Sequence, residues 1–297
     1  MKRSEYAQGS ALLEEALTIL FCLVDDFYEN INPNGRRYES LKKLSDSEVI
    51  TLALFQQLRG VESQRSFLRD AERFFSHLFP GVAGLHPSSF HRRVRKLRRF
   101  LESLRCAVVT ELVGDPETLI VDSTLLSVLH PRQISQSAGF DGAAWVKWGS
   151  FSVYGLKLHL LCATNGVPVS YELTPANVAE VHLAEELLAG AGVPLGSKPV
   201  ARRLLGDLAY RSEALKEALA EHEIMLVTER SRQHGKRQRI EIALSSLKRV
   251  FRLSETLATT LVGLATRIAA KVAAYTYAFY VNRLLGFPQG RIKELWA

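Results

Sequence analysis

The stretch "FSVYGLKLHLLCATNGVPVSYELT", residues 151–174, constrains the fold of this chain more than any other. Two runs with the composition of β-strands flank Asn165-Gly166, the dipeptide favoured in type I′ hairpin turns. The sequence therefore predicts a pair of antiparallel strands in the middle of the chain.

Further strands and helices alternate on both sides of this hairpin. One apolar strand begins at residue 118, and two more lie in "RRLLGDLAY" (202–210) and "EIMLVTE" (223–229), with helical patterns between and after them. Alternation of this kind indicates a mixed α/β sheet with parallel crossovers in its second half. We expect this α/β domain to span residues 116–255.

The first 115 residues predict helices joined by short connections. Ser45 stands three residues before Glu48 and an apolar run, which is a capping-box signature. Residues 256–297 predict a helical extension that packs on the α/β domain. Arg267 and Lys271 interrupt its apolar stretch, which favours a buried helix over a membrane span.

The basic residues of the chain are clustered. The formal net charge is +7, and seven Arg or Lys fall within residues 91–105, with eight more within residues 230–252. Clustering of positive charge favours a nucleic-acid partner. The three cysteines are far apart and form no CxxC pair, so neither a disulfide framework nor a zinc site is expected.

Two aspartates follow apolar strand residues. Asp122 comes after Thr118–Val121, and Asp207 comes after the strand that begins at residue 202. Neighbouring strand ends of parallel or mixed sheets converge at one edge, so the two carboxylates are expected to meet there. Two such groups repel each other unless a cation lies between them, and oxygen ligands suit Mg²⁺, with Mn²⁺ as a substitute.

A third acid is Glu241, which is the single acidic residue among the eight cations of 230–252. It stands beside the helical stripe formed by Ile240, Leu244, Leu247 and Phe251. The order strand-Asp, strand-Asp, helix-Glu suits a two-metal phosphoryl-transfer site. The alternatives are that each Asp caps a turn and that Glu241 pairs with Arg237 on the same helix.

The chain resembles the DDE transposases of bacterial insertion sequences, and most closely the insertion-sequence family numbered 982. The resemblance lies in "VDST", "YGLKLHLLCATNGVPVSYELTPANVAEVHLAEEL", "LLGDLAY" and the C-terminal "GLATRIAAKVAAYTYAFYVNRLLG". Arg237, Glu241 and Lys248 match the R-x3-E-x6-K part of the family signature. One departure is His234, at a position where the signature often has tyrosine.

The resemblance implies an RNase H-like catalytic domain in which Asp122, Asp207 and Glu241 bind two Mg²⁺ ions. Water and then a DNA 3′-OH would attack phosphodiester bonds in line. Arg237 and Lys248 are expected to contact phosphates, with a solvated helix face as the alternative. Lys157 is expected to hold the DNA backbone, with the alternative that it is an edge-strand lysine that discourages aggregation.

Two further groups are candidate DNA contacts. A basic helix over residues 89–105 resembles a recognition helix, and the positions proposed to bind DNA are Arg92, Arg93, Arg95, Lys96 and Arg99. The Gly-rich segment 139–151 is read as a loop, in which Trp145 and Trp148 are candidates for stacking on an unpaired base. Packing into the core is the alternative for both tryptophans.

These features predict a bacterial transposase that acts on terminal inverted repeats and target DNA. A homodimer is expected, because two transposon ends must be held together. The expected location is cytoplasmic and nucleoid-associated, with no membrane partner. Two rival functions are an RNase H-like nuclease that cuts without joining and a catalytically silent, domesticated DNA-binding protein.

Overall fold

The computed structural model describes residues 2–32, 41–128, 140, 142–191, 201–228, 234–255 and 257–292. The chain forms two compact units. One contains residues 109–249 and 258–265, and we call it the sheet unit. The other contains residues 1–108, 250–257 and 266–297, and we call it the helical unit.

Within the described residues, the strands of the sheet unit form one six-stranded mixed sheet. The strands are β1 (Thr118–Ser127), β2 (Ala144–Trp148), β3 (Phe151–Ala163), β4 (Pro168–Pro175), β5 (Arg203–Leu205) and β6 (Met225–Val227). The order is β2-β3-β1-β5-β6, and β4 also pairs with β3. β3 is antiparallel to β1, β2 and β4, whereas β1, β5 and β6 run parallel. The predicted mixed α/β sheet is confirmed.

The hairpin between β3 and β4 is confirmed, but its turn is not type I′, because Asn165 does not adopt a positive φ. The Gly166 N–H donates to the Ala163 carbonyl at 2.9 Å, so Thr164 and Asn165 are the central residues of the turn. Gly166 adopts a positive φ of 90°, which glycine tolerates without steric cost. The Asn165 side chain accepts the Val167 N–H at 3.1 Å and donates to the Leu112 carbonyl at 3.2 Å. Beyond the turn, the pairing of β3 with β4 shifts register between Leu161 and Cys162, and Lys157 then lies opposite Thr174 and His159 opposite Glu172.

The segment around Trp145, which the sequence analysis reads as a loop, contains a strand. β2 pairs with β3 from Ala144 opposite Gly155 to Trp148 opposite Phe151. A two-residue turn, Gly149-Ser150, joins the strands, and Gly149 has a φ of 60°. Glycine followed by serine between strand residues is itself a hairpin signal.

Three helices of the sheet unit follow the hairpin: α6 (Ala184–Gly190), α7 (Glu213–Ala220) and α8 (His234–Arg249). α8 packs against β1 and β3. Ile240, Leu244 and Leu247 of the predicted stripe are buried on this helix. Phe251, the fourth predicted member, is also buried, but α8 ends at Arg249 and Phe251 belongs to the helical unit. The neighbouring positions of α8, including Glu241, are exposed.

The helical unit contains α1 (Lys2–Ile31), α2 (Asp46–Leu58), α3 (Gln64–Phe75) and α4 (Pro87–Lys96). It also contains most of α5 (Arg98–Val113) and most of α9 (Leu261–Leu284), both of which continue into the sheet unit. The capping box of α2 is confirmed: Ser45 Oγ accepts the Glu48 N–H at 3.0 Å, and Glu48 accepts the Ser45 N–H at 2.5 Å.

The single basic helix expected over residues 89–105 is two helices, α4 and α5. They meet at Leu97, where ψ is 2° and the helical backbone is interrupted. Leu97 is buried together with Val94 and Leu101. The apolar face of the prediction is therefore correct, but the non-helical backbone of Leu97 divides the predicted helix into two.

The structure groups residues 266–297 with the N-terminal helices, whereas the sequence analysis expects the whole C-terminal segment on the α/β domain. Lys271 and Arg267 of α9 both pair with Glu62, and Lys271 also donates to the Phe251 carbonyl. Glu62 and Lys271 are buried. In the part of the chain that the structure describes, no helix is long and apolar enough to cross a membrane.

Candidate active site

The register of the parallel strands brings Asp122 and Asp207 to the same level of the sheet. The last pair between β1 and β5 is Ile120 with Leu205. Each aspartate follows its member of that pair by two residues. Because β5 ends at Leu205 while β1 continues to Ser127, Asp122 lies inside a strand rather than at its end.

Both aspartates also accept local backbone hydrogen bonds. Asp122 Oδ1 accepts the Ser123 N–H at 2.8 Å. Asp207 Oδ1 accepts the Ala209 N–H at 2.9 Å and so caps the 3-10 turn Leu208–Tyr210. The capping alternative is therefore true as local geometry, and it leaves the remaining carboxylate lone pairs open to other partners.

Glu241 reaches the same region from α8. The helix packs against β1, and the Glu241 side chain is exposed. Among the residues that the structure describes, Glu241 forms no ion pair with Arg237, so that alternative is not realised. The Arg237 Nε is buried and has no hydrogen-bond partner within the described ranges.

The electrostatics of Asp122 tie these groups together. Burial raises the pKa of Asp122, the Ser123 N–H lowers it, and the charge of Asp207 raises it further. Arg237 lowers this pKa and Glu241 raises it, and the result is a pKa of about 6. The three predicted carboxylates thus share one electrostatic neighbourhood in which negative charge is in excess.

Tyr210 belongs to this neighbourhood, and the sequence analysis does not single it out. Its ring packs on Gly206, where an added Cβ would lie 2.9 Å from the ring. Its hydroxyl is buried and finds no hydrogen-bond partner among the residues that the structure describes. Burial, together with the charges of Asp122, Glu180 and Asp207, raises the pKa of this phenol. Gly206 and Tyr210 therefore hold the turn that carries Asp207, which explains the spacing of "GDLAY".

Lys157 is buried and engaged inside the protein. Its Nζ donates to Glu180 Oε1 at 2.8 Å and to the Val178 carbonyl at 2.9 Å. The same Glu180 oxygen accepts from Ser123 Oγ at 3.0 Å. This differs from the sequence prediction, because a buried, ion-paired lysine does not present its charge to a DNA backbone. The edge-strand alternative does not hold either, because β3 lies inside the sheet.

The predicted DNA-binding residues of the helical unit divide into two kinds. The exposed ones are Arg92, Arg95, Lys96 and Arg99. Arg93 instead pairs with Asp46 and donates to the Leu44 carbonyl at 2.7 Å. Arg93 therefore fastens α4 to α2, and the exposed face of α4 and α5 carries the other four charges.

Trp145 is half-exposed on β2. Its ring lies 5.5 Å from that of Tyr154 on β3, at an angle of 56°. Core packing is therefore not its environment. The side chain of Trp148 lies outside the described residues. On α8, Lys248 is exposed.

The donors near Asp122 suit Mg²⁺ in kind. Carboxylate oxygens are its preferred protein ligands, and a divalent cation would offset the excess negative charge that raises the pKa of Asp122. Among the described residues, no three His, Cys, Asp or Glu side chains stand close enough to hold an ion by themselves. Protein sites for Mg²⁺ commonly use one or two carboxylates and complete the shell with water and substrate phosphates.

Comparison with known proteins gives the class. Residues 113–277 match the family model described as Transposase DDE domain. The match covers more than half of the chain, which therefore belongs to this family of DNA transposases. The matched range includes Asp122, Asp207 and Glu241.

The other comparisons add little. The chain is similar to a structure described as a pre-cleavage Mos1 transpososome, with 10% identity, 86% of this chain and 77% of that chain covered, and a TM-score of 0.33. So low a score carries no structural conclusion. No curated protein matches the chain. The assignment to the insertion-sequence family numbered 982 and the bacterial source remain predictions from the sequence.

Proposed function

We propose that the protein cuts DNA at the ends of an insertion sequence and joins those ends to target DNA by in-line phosphoryl transfer. The catalytic carboxylates of this proposal are Asp122, Asp207 and Glu241, carried by an RNase H-like sheet. The observation that carries it is the shared electrostatic neighbourhood of three acids from β1, the turn after β5, and α8.

The proposed cofactor is Mg²⁺, with Mn²⁺ as a substitute; Asp122, Asp207 and Glu241 would be its protein ligands, and water and DNA phosphates would complete the shell. When bound, the ions supply charge stabilisation to the attacking and leaving oxygens of the phosphodiester. Burial, with the charges of Asp207 and Glu241, raises the pKa of Asp122 to about 6, and Asp122 would hold a cation in its ionised form. Arg237 and Lys248, on the helix that carries Glu241, are proposed to contact DNA phosphates.

The proposed partner is DNA, at the terminal inverted repeats and at the target site. The exposed cations of α4 and α5 would hold the phosphate backbone of the transposon end: Arg92, Arg95, Lys96 and Arg99. Arg93 supports this face indirectly through Asp46. A homodimer is proposed for the complex that holds two ends together.

A cleavage and strand-transfer assay on DNA that carries the flanking element ends tests this proposal. Asp122→Ala, Asp207→Ala and Glu241→Ala are each expected to lower both products by more than about 100-fold, since losing even an outer-shell partner costs 10–100-fold. End binding should persist in all three. Glu186→Gln, an exposed change on α6, is the matched control and should behave as wild type.

The same assay separates the rival functions. Cleavage without joined products indicates a nuclease on the same fold. End binding with neither product in Mg²⁺ or Mn²⁺ indicates a catalytically silent DNA-binding protein. Full activity of the three alanine variants would remove these carboxylates from the chemistry.

A further inference from the structure

A second set of charged side chains lies behind Asp122, on the opposite face of β1. The register pairs Asp122 with Leu160, Ser123 with His159 and Leu125 with Lys157. Successive residues of a strand point to opposite faces, so Ser123 and Lys157 share the face that Asp122 does not. Glu180, from the 3-10 turn Glu180–Leu183 after β4, closes over this face.

One oxygen of Glu180 receives two donors. Lys157 Nζ lies 2.8 Å from Glu180 Oε1, and Ser123 Oγ lies 3.0 Å from the same atom. The side chains of Lys157 and Glu180 are 8% and 22% exposed. Burial alone would raise the pKa of Glu180, but hydrogen bonds from Lys157 and Ser123 hold it below its usual value. Glu180 is therefore an ionised acceptor whose charge Lys157 balances.

Ser123 connects this pair to the candidate active site. Its side chain donates to Glu180 on one face, and its backbone N–H donates to Asp122 Oδ1 at 2.8 Å. The pairing of β1 with β5 has already ended at Ile120. On the β5 side the Ser123 N–H therefore has the Asp122 carboxylate as its acceptor, while β3 still pairs with Asp122 and Ser123 on the other side.

We propose that Glu180 is a positioning residue for Asp122: held by Lys157, it anchors the Ser123 hydroxyl, and the Ser123 N–H then aims the Asp122 carboxylate into the site. This inference rests on the proposed function, in which Asp122 is a metal ligand. It also gives the buried lysine of β3 a role within the protein. Partners of this kind, one step removed from a ligand, typically change metal affinity by 10–100-fold.

Binding of Mn²⁺ alone to the full chain, without DNA, tests the inference independently of catalysis. Free Mn²⁺ is measured by its electron paramagnetic resonance signal as protein is added. Ser123→Ala and Glu180→Gln are expected to weaken Mn²⁺ binding by about tenfold or more. Ser123→Thr keeps the hydroxyl and should bind Mn²⁺ as tightly as wild type. Glu186→Gln is the matched control.

Ser123→Ala removes one hydroxyl from a strand and keeps the test valid if Glu180→Gln does not fold. The inference is overturned if Ser123→Ala binds Mn²⁺ as tightly as wild type and Glu186→Gln. It is also overturned if Ser123→Thr binds as weakly as Ser123→Ala. Failure of the proposed function looks different: wild type and Asp122→Ala would then show the same Mn²⁺ binding.

Discussion

Two carboxylates, one in each unit of the chain, lie in opposite electrostatic surroundings. In the helical unit, Glu62 is surrounded by two cations, Lys271 and Arg267. In the sheet unit, Asp122 has two further carboxylates and one arginine in its neighbourhood. The first arrangement is compensated within the chain, as expected of an ion pair that holds helices together. The second leaves negative charge uncompensated, as expected of a site that awaits a cation.

The largest change in stability is expected from a substitution in the ion-pair cluster of Glu62, Lys271 and Arg267. Glu62→Gln leaves Lys271 and Arg267 buried without their counter-charge, which should lower the free energy of unfolding by about 3–5 kcal/mol. Urea denaturation measures it. Glu217→Gln, an exposed change on α7, is the control. Lys271→Met should cost less than Glu62→Gln, because Glu62 retains Arg267; an equal or larger loss would contradict the assignment.

Neutralising Asp122 should instead raise the free energy of unfolding at neutral pH. The pKa of Asp122 is about 6 in the folded chain against an ordinary value of 3.8, so the folded state retains a proton that the unfolded state has released. The contribution of Asp122 to the free energy of unfolding is therefore present below its unfolded pKa of 3.8 and is lost as the pH rises through its folded pKa of about 6. Asp122→Asn should gain about 1–3 kcal/mol over wild type at about pH 7.5 in chelator, and nothing at about pH 4.

Urea denaturation at both pH values measures this gain, with the exposed Asp70→Asn as control. Adding Mg²⁺ should stabilise wild type and not Asp122→Asn, since a ligand that binds only the folded state raises its stability. A loss of stability in Asp122→Asn at neutral pH would place Asp122 with Glu62 among the compensated charges.

A third arrangement is the exposed basic face of α4, where charge is neither buried nor paired. Charge reversal at Arg92 and Arg95 should weaken binding to the element ends by about tenfold or more and flatten its salt dependence by roughly two phosphate contacts. Fluorescence anisotropy over a salt series measures both quantities. The unfolding free energy should stay within about 0.5 kcal/mol of wild type. Unchanged binding would remove this face from the DNA interface.

The smallest expected effect is at the edge strand β2. Trp145→Ala removes a half-exposed ring that is free to stack on an unpaired base and should weaken binding of end DNA with an unpaired overhang by about 1 kcal/mol. Binding of fully paired end DNA is the internal control and should not change. If Trp145→Ala and Trp148→Ala both retain wild-type cleavage and transfer, base stacking by this segment is excluded.

Local signals in the sequence predicted local structure well. The β3–β4 hairpin at Asn165-Gly166, the Ser45 capping box and the burial of Ile240, Leu244 and Leu247 on α8 depend on residues close together in the chain, and each is confirmed. The strand β2 is not predicted from the sequence, because its Gly149-Ser150 turn is a weaker hairpin signal than Asn-Gly. The break between α4 and α5 at Leu97 is not predicted either, because the apolar residues keep their helical spacing through it.

Contacts between residues that are far apart in the chain could not be predicted from the sequence. Spacing marked Asp122, Asp207 and Glu241 as acids in a plausible order, but only the register of β1 with β5 brings the two aspartates to one level. The sequence predicts Lys157 as a DNA contact because no local pattern links it to its partner Glu180, which lies in a separate turn after β4. The grouping of α9 with the N-terminal helices likewise depends on Glu62, which no local pattern connects to Lys271.

The three-residue strand β5 has a consequence for the order of folding. β3 and β4 are joined by a tight turn, whereas Ile120 pairs with Leu205 only after the whole hairpin and α6 have been made. Contacts between distant residues form slowly, because the entropy of loop closure must be overcome first. We therefore expect the two aspartates to come together only after the hairpin has formed. A nascent chain that has finished only its hairpin lacks Asp207 and so has no complete candidate site.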